Sequence, residues 1–225
     1  MNRYLLLIPY LILLSGYSFA DEDFYEKGIE FLKNKNITQA IGAFEKASKD
    51  DNALAMYKLG LIYEEREKNN TTAIEWYKKA KNAGNTTAKY RLGVLSCKMN
   101  TYTHLKDFEE YAETYTKKDI QYDLAVCFYE SKNRTKAIKW FKKVANKSSA
   151  KAQYQVAKLS TNKKERLKYL KKSAKSGYHL AEFELGKVFF KQHRVKEAKK
   201  WLSRAKKHGS RKATTYLKRI KSLGL

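Results

Sequence analysis

A repeat of about 32 residues runs through this sequence and limits it to folds that stack one small unit on copies of itself. An aromatic residue, an aliphatic residue two places later and then a small residue recur as Tyr57-x-Leu59-Gly60, Tyr90-x-Leu92-Gly93, Tyr122-x-Leu124-Ala125, Tyr154-x-Val156-Ala157 and Phe183-x-Leu185-Gly186. The small residues lie 33, 32, 32 and 29 apart, and Tyr25 with Gly28 supplies an earlier copy. A second column follows each of these, as Ala40 to Phe44, Ala73 to Tyr77, Leu105 to Phe108, Ala137 to Phe141, Arg166 to Leu170 and Ala198 to Leu202. Two independent columns with one period make chance a poor explanation.

Inside a unit the apolar spacing is helical. Leu59, Ile62 and Tyr63 follow an i, i+3, i+4 pattern, and Ala73, Tyr77 and Ala80 do the same on the next segment. Each unit therefore reads as a helix, a short loop and a second helix. The loops carry stop and start residues: Asn69 to Thr72 and Asn133 to Thr135 between paired helices, and Gly84, Gly177 and Gly209 after the second helix. Small residues at Gly60, Gly93 and Ala125 let paired helices approach closely. The unit at 150–178 is three residues short, and the deficit is expected in the loop around Thr161 and Asn162. Tyr216, Leu217 and Ile220 share one face of a last helix that closes the stack.

The spacing predicts an all-α, right-handed α-solenoid of about six stacked helix-turn-helix repeats, at 24–52, 53–85, 86–117, 118–149, 150–178 and 179–209, with a cap at 210–225. Composition agrees with long helices and a real core. One Pro and two Cys exclude a disulfide scaffold and Pro-rich architectures, while 43% hydrophobic residues and 17 Tyr exclude wholesale disorder.

The first 20 residues stand apart. Arg3 supplies a positive start, Tyr4 to Leu14 is apolar apart from Pro9, and Ser18 and Ala20 are small residues placed for a cut before Asp21. This reads as a cleaved secretory signal peptide, because the apolar run is too short to span a bilayer. The expected location is periplasmic, or alternatively secreted, with no transmembrane anchor after cleavage.

The run Trp76-Tyr77-x-x-Ala80-x-x-x-Gly84-x-x-x-Ala88-x-x-x-Leu92-Gly93 resembles the junction of Sel-one-like repeats, relatives of the tetratricopeptide repeats, and Trp201-Leu202-x-x-Ala205-x-x-x-Gly209-x-x-x-Ala213 repeats its spacing. The separations from Gly28 to Ala40, Ala125 to Ala137 and Gly186 to Ala198 are 12 each and closer to the tetratricopeptide pattern. The resemblance implies a non-enzymatic scaffold that binds another protein in its superhelical groove. It also implies two alternatives. Some periplasmic immunity proteins against phospholipase effectors are similar to this repeat class, and some Cys-rich secreted relatives bind and hydrolyse penicillin, so that an enzyme acting on β-lactams or peptidoglycan is the second alternative. The repeated cysteine pairs of those relatives are lacking here.

Residues with chemistry to offer are few. His104, His179, His193 and His208 are scattered over different repeats without metal-ligand spacing, so no metal site, cofactor or catalytic residue is expected. Cys97 and Cys127 fall on the first helices of neighbouring repeats, where an oxidising compartment allows a disulfide; two buried small hydrophobes are the alternative. Asn-x-Ser/Thr sequons are numerous, and that at Asn69, with Glu67 two places upstream, is a candidate for glycosylation.

Charge says most about a partner. The formal net charge is +25, yet residues 21–112 hold 15 basic and 15 acidic residues while 113–225 hold 32 basic and eight acidic. Lys139, Lys168 and Lys200 share one repeat column, and Lys143, Lys172 and Arg204 share another. Stacking aligns these into two basic rows, which are either a solvated helix surface or a docking site for an acidic protein, an anionic envelope polymer or lipid headgroups. Nucleic acid fits the charge but not the signal peptide.

Overall fold

The computed structural model describes residues 19–224, which form thirteen helices and no strand. The signal peptide expected over 1–20 lies outside the described residues, except that Phe19 and Ala20 open the first helix. No helix among the described residues is long and apolar enough to cross a membrane. First helices are α1 (Phe19–Lys33), α3 (Ala53–Glu65), α5 (Thr86–Lys98), α7 (Lys118–Glu130), α9 (Ala150–Leu159) and α11 (His179–Lys191). Second helices are α2 (Ile37–Ser48), α4 (Asn70–Asn82), α6 (Leu105–Thr114), α8 (Arg134–Asn146), α10 (Lys163–Lys175) and α12 (Val195–Lys207), and α13 (Arg211–Ser222) closes the series. The fold class is an all-α helical-repeat solenoid. It divides into two compact units, one ending at Ala88 and one beginning at Lys89.

The two sequence columns are the two sides of one contact. In the first unit a Cβ on Gly28 would lie 2.5 Å from the Phe44 ring, and one on Gly60 would strike the Tyr77 ring. In the second unit a Cβ on Gly93 would strike the Cβ of Phe108, and one on Gly186 would lie 2.7 Å from Leu202 Cγ. A small residue on the first helix thus admits a large one from the second, and the pair is fully buried in repeat after repeat. The tyrosine three places before the small residue leans on the same ring. Centroids are 5.7 Å apart for Tyr25 and Phe44, 5.4 Å for Tyr90 and Phe108, and 5.4 Å for Tyr122 and Phe141. These distances are those of attractive aromatic pairs.

Helix starts explain the asparagines. The side chains of Asn36, Asn52, Asn69, Asn133 and Asn162 each accept a hydrogen bond from a backbone N–H two or three residues on, capping α2, α3, α4, α8 and α10. Asn85 does the same for Ala88 N at 3.1 Å. Four of the sequons, those at Asn36, Asn69, Asn85 and Asn133, are therefore helix starts as well. Gly84, Gly177 and Gly209 take φ of +93°, +81° and +90° and turn the chain out of the preceding second helix.

One expectation about the repeats needs correcting. The three residues missing from the fifth unit come out of α9, not out of the loop at Thr161 and Asn162. α9 has ten residues where α7 and α11 have 13, and the loop that follows it is as long as the loop after α7. Ser160 turns extended at the end of α9 and donates to Glu165 Oε2 at 2.8 Å, which fixes the early stop.

Candidate partner-binding surfaces

Three surfaces come together in the second unit: a row of cations on the second helices, a buried polar column between paired helices, and a cleft on the first helices. Of the cations singled out from sequence, Lys139, Lys168, Lys200 and Lys172 are exposed, while Lys143 and Arg204 are half-buried. The second row is committed to aromatic rings three residues earlier on the same helix. Lys143 Nζ lies 3.8 Å from the Trp140 ring centroid, the Arg204 guanidinium 4.8 Å from Trp201, and Lys172 Nζ 5.7 Å from Tyr169. In the first unit Lys79 sits over Trp76 in the same way, at 4.1 Å. The tryptophan column is thus roofed by the cation column.

The lysines of α8 also meet acids from neighbouring second helices. Lys136 Nζ is 2.7 Å from Glu109 and Lys142 Nζ is 2.7 Å from Glu165, and Lys143 Nζ lies 3.7 Å from Glu113. Trp140 Nε1 donates to Glu109 as well, at 3.0 Å. Burial pushes the Glu109 carboxyl up, but the bonds from Lys136 and Trp140 and the Lys136 charge outweigh burial and hold it below the usual carboxylate range.

Four residues before Ala125, Ala157 and Gly186, the helices α7, α9 and α11 carry a buried polar side chain: Gln121, Gln153 and Glu182. Gln121 and Gln153 donate Nε2 to the backbone carbonyls of Ala112 and Ala145, at 3.2 and 3.3 Å. Gln121 Oε1 accepts from Lys147 Nζ at 3.0 Å. Glu182, with no exposed surface, accepts from Arg204 Nε at 3.0 Å and lies 2.7 Å from His208 Nδ1. Lys147 and His208 hold the same repeat position, and Ser176 fills it in between. Ser176 is too short to reach, and Gln153 Oε1 is buried without a hydrogen-bond partner. Replacing Ser176 by Lys is expected to raise the unfolding free energy by about 1 kcal/mol, the worth of satisfying one buried acceptor. Chemical denaturation of the two proteins measures it, and an unchanged or lower midpoint would contradict the pairing.

The first helices present a set of linked clefts. One of about 460 Å³ is lined by Val94, Cys97, Asp123, Val126, Cys127 and Glu130. It shares Asn100 and Glu130 with a second of about 830 Å³, which adds Tyr129, Arg134 and Lys158. Lys158 carries the series into a third of about 250 Å³ with Tyr154, Arg166 and Glu184. The linings mix charged side chains with apolar ones, Val94 and Val126 in the first, Leu159 in the second, and Ala157 and Leu170 in the third. Burial, then repulsion from Asp119, pushes the Asp123 carboxyl up, against a bond from Tyr90; burial and then the Asp123 charge push the Tyr90 hydroxyl up. Burial followed by Glu184 does the same to Tyr154.

Cys97 and Cys127 are joined in a disulfide with Cα atoms 5.6 Å apart, linking α5 to α7 beside the first cleft. Asn69 is exposed, but its side-chain oxygen is the cap of α4, accepting from Thr72 N at 3.1 Å. No group of three or more His, Cys, Asp or Glu able to hold a metal ion occurs among the described residues. Sequence reasoning missed the polar column and the clefts. The first had a signal in the Gln121, Gln153, Glu182 alignment; the second, spread over six helices, had none.

Comparison with known proteins gives the fold a family. A tetratricopeptide repeat model matches residues 25–89, and a Sel1 repeat model matches 119–149 and 179–210. Among solved structures, a Sel1 repeat protein from Oxalobacter formigenes is 18% identical with a TM-score of 0.66 over 86% of this chain and 63% of that one. The protective antigen c5321 of uropathogenic Escherichia coli, described as displaying an SLR fold, is 21% identical with a TM-score of 0.60 over 86% of this chain and 47% of that one. The chain thus spans less than two thirds of the length of either. YrrB, a tetratricopeptide repeat protein described as having an unusual peptide-binding site, is 16% identical with a TM-score of 0.53 over 87% and 90%. No curated protein sequence matches. The class is the helical-repeat scaffold typical of protein–protein interaction. Within it, the chain is a Sel1-like, tetratricopeptide-like repeat protein.

Proposed function

We propose that this protein is a non-enzymatic scaffold exported to the periplasm, which holds a partner protein in the cleft along its first helices and docks through its basic half to an anionic component of the cell envelope. The observation that carries this reading is the division of labour within the second unit. Lys139, Lys168 and Lys200 stand exposed on successive second helices, while the mixed and apolar clefts open on the first helices. A lining of mixed charged and apolar side chains suits an extended segment of another protein, and YrrB's description as peptide-binding is in keeping with it.

Crosslinking and pull-down from native envelopes tests both halves. Tyr129→Ala with Glu130→Lys is expected to lose the protein partner but keep salt-sensitive retention on envelopes. Lys139→Glu, Lys168→Glu and Lys200→Glu together are expected to lose that retention, with helicity unchanged. Undiminished capture and retention by both variants would overturn the reading. A secreted lipase or amidase as the captured partner would make the scaffold a neutraliser of that toxin instead of an adaptor.

A further inference from the structure

Three cations of α8, Lys136, Lys142 and Lys143, are paired with acids within the fold, whereas beyond α8 cations far outnumber the acids that could pair with them. From Lys163 to Leu225 there are 21 Lys and Arg against four acids. All four acids are already engaged. Glu165 holds Lys142, Glu182 holds Arg204, Glu184 lies 3.1 Å from Lys187 and Glu197 accepts from Arg194 Nε at 2.9 Å. Lys168, Lys171, Lys200, Lys207, Lys212 and Lys218, on α10, α12 and α13, are exposed. The excess charge of this region is therefore presented to whatever lies outside the molecule.

The kind of side chain on this surface selects the partner. Protein interfaces are anchored by buried aromatic residues and arginine, and they are depleted in lysine. Here the aromatic residues are turned inward or covered: Tyr216 packs on Phe183 and Phe190 with centroids 5.9 and 5.7 Å away, Trp201 lies under Arg204, and Tyr169 under Lys172. What remains exposed on α10, α12 and α13 is charge on long stems, 14 lysines to three arginines, Arg166, Arg211 and Arg219. One large apolar side chain is exposed beside them, Leu223 just past the end of α13. Flexible point charges suit a partner whose own charges move laterally, and an exposed leucine among lysines suits one with an apolar layer beneath its charges.

We propose that the surface formed by α10, α12 and α13 binds an anionic phospholipid bilayer, with Leu223 entering the headgroup layer. This rests on the reading of the basic half as a docking surface and names its partner. The first two clefts, on different elements, stay available for protein.

Vesicle co-sedimentation tests it. The protein is expected to pellet with vesicles of equimolar phosphatidylcholine and phosphatidylglycerol at low salt, to release at high salt, and to ignore phosphatidylcholine alone. Replacing the six lysines by Gln is expected to weaken partitioning by at least about a hundredfold with the circular dichroism spectrum retained, and replacing them by Arg to preserve it. Leu223→Ser is expected to weaken it several-fold at any salt. Equal binding to neutral vesicles, or full binding by the Gln variant, would overturn the assignment. If the wild type ignores anionic vesicles while the Gln variant alone loses retention on native envelopes, the docking surface stands and its partner is an acidic protein or polymer. If envelope retention is also unaffected, the docking reading falls too.

Discussion

Replacing Cys97 and Cys127 together by Ala is expected to lower the unfolding free energy by about 3.5 kcal/mol, from the chain entropy of a loop of 30 residues. The place of the bridge is what makes the effect felt. It encloses α6 and both its flanking loops, the part of the second unit with the poorest local support. α6 has ten residues, neither His104 nor Lys117 makes a side-chain cap bond, and Asn100 and Tyr102 both sit at positive φ between α5 and α6. Asn caps hold the starts of α8 and α10 nearby. The covalent link stands where such caps are missing on a short helix; α11 and α12 lack them too but have 13 residues each. Urea denaturation of oxidised wild type, reduced wild type and the double Ala variant measures the difference. A loss below about 1 kcal/mol would show that the enclosed loop is already restricted in the unfolded chain. Hydrogen exchange is expected to rise first in α6, because opening in repeat proteins is governed by nearest-neighbour contacts.

What the sequence made legible is what each repeat states again. The Gly or Ala of the first helix and the ring or leucine of the second appear six times, so their period survived inspection of one chain. The basic columns are legible for the same reason. Contacts made once are not. Glu182, Arg204 and His208 form a cluster of residue types found together in one hairpin, and nothing in their spacing distinguishes them from solvated charges. Nor does a lysine's column reveal whether it points to water or lies over a ring, since Lys139 and Lys143 are one turn apart on the same helix. The early stop of α9 is invisible because a missing turn in a helix and a missing loop leave the same three-residue gap. The sequons were legible as motifs, and four of them coincide with helix starts because the Asn that opens the motif is also a capping residue.

The small-residue column supports a sharper expectation, in which the same substitution acts with opposite signs at two helical glycines. Gly to Ala inside a helix ordinarily stabilises by about 0.5–1 kcal/mol, through the unfolded chain's lost freedom. At Gly42, on α2, an added Cβ would meet nothing within 4 Å, so Gly42→Ala is expected to raise stability by that amount. At Gly93 the added Cβ would strike the Cβ of Phe108, an atom fixed to the backbone of α6, and Phe108 is fully buried. No rotamer change relieves that contact; α5 and α6 must part, and the Tyr90 and Phe108 rings part with them. The expected loss is about 3 kcal/mol, the upper range for overpacking a core. Gly28→Ala and Gly60→Ala fall between, because there the obstacle is the ring of Phe44 or Tyr77, which can swing about its side-chain torsions as a Cβ cannot. Thermal and urea unfolding of the four variants would give the order Gly42, then Gly28 and Gly60, then Gly93. A Gly93→Ala protein as stable as wild type would mean that the close approach of α5 and α6 is not what the small-residue column is for.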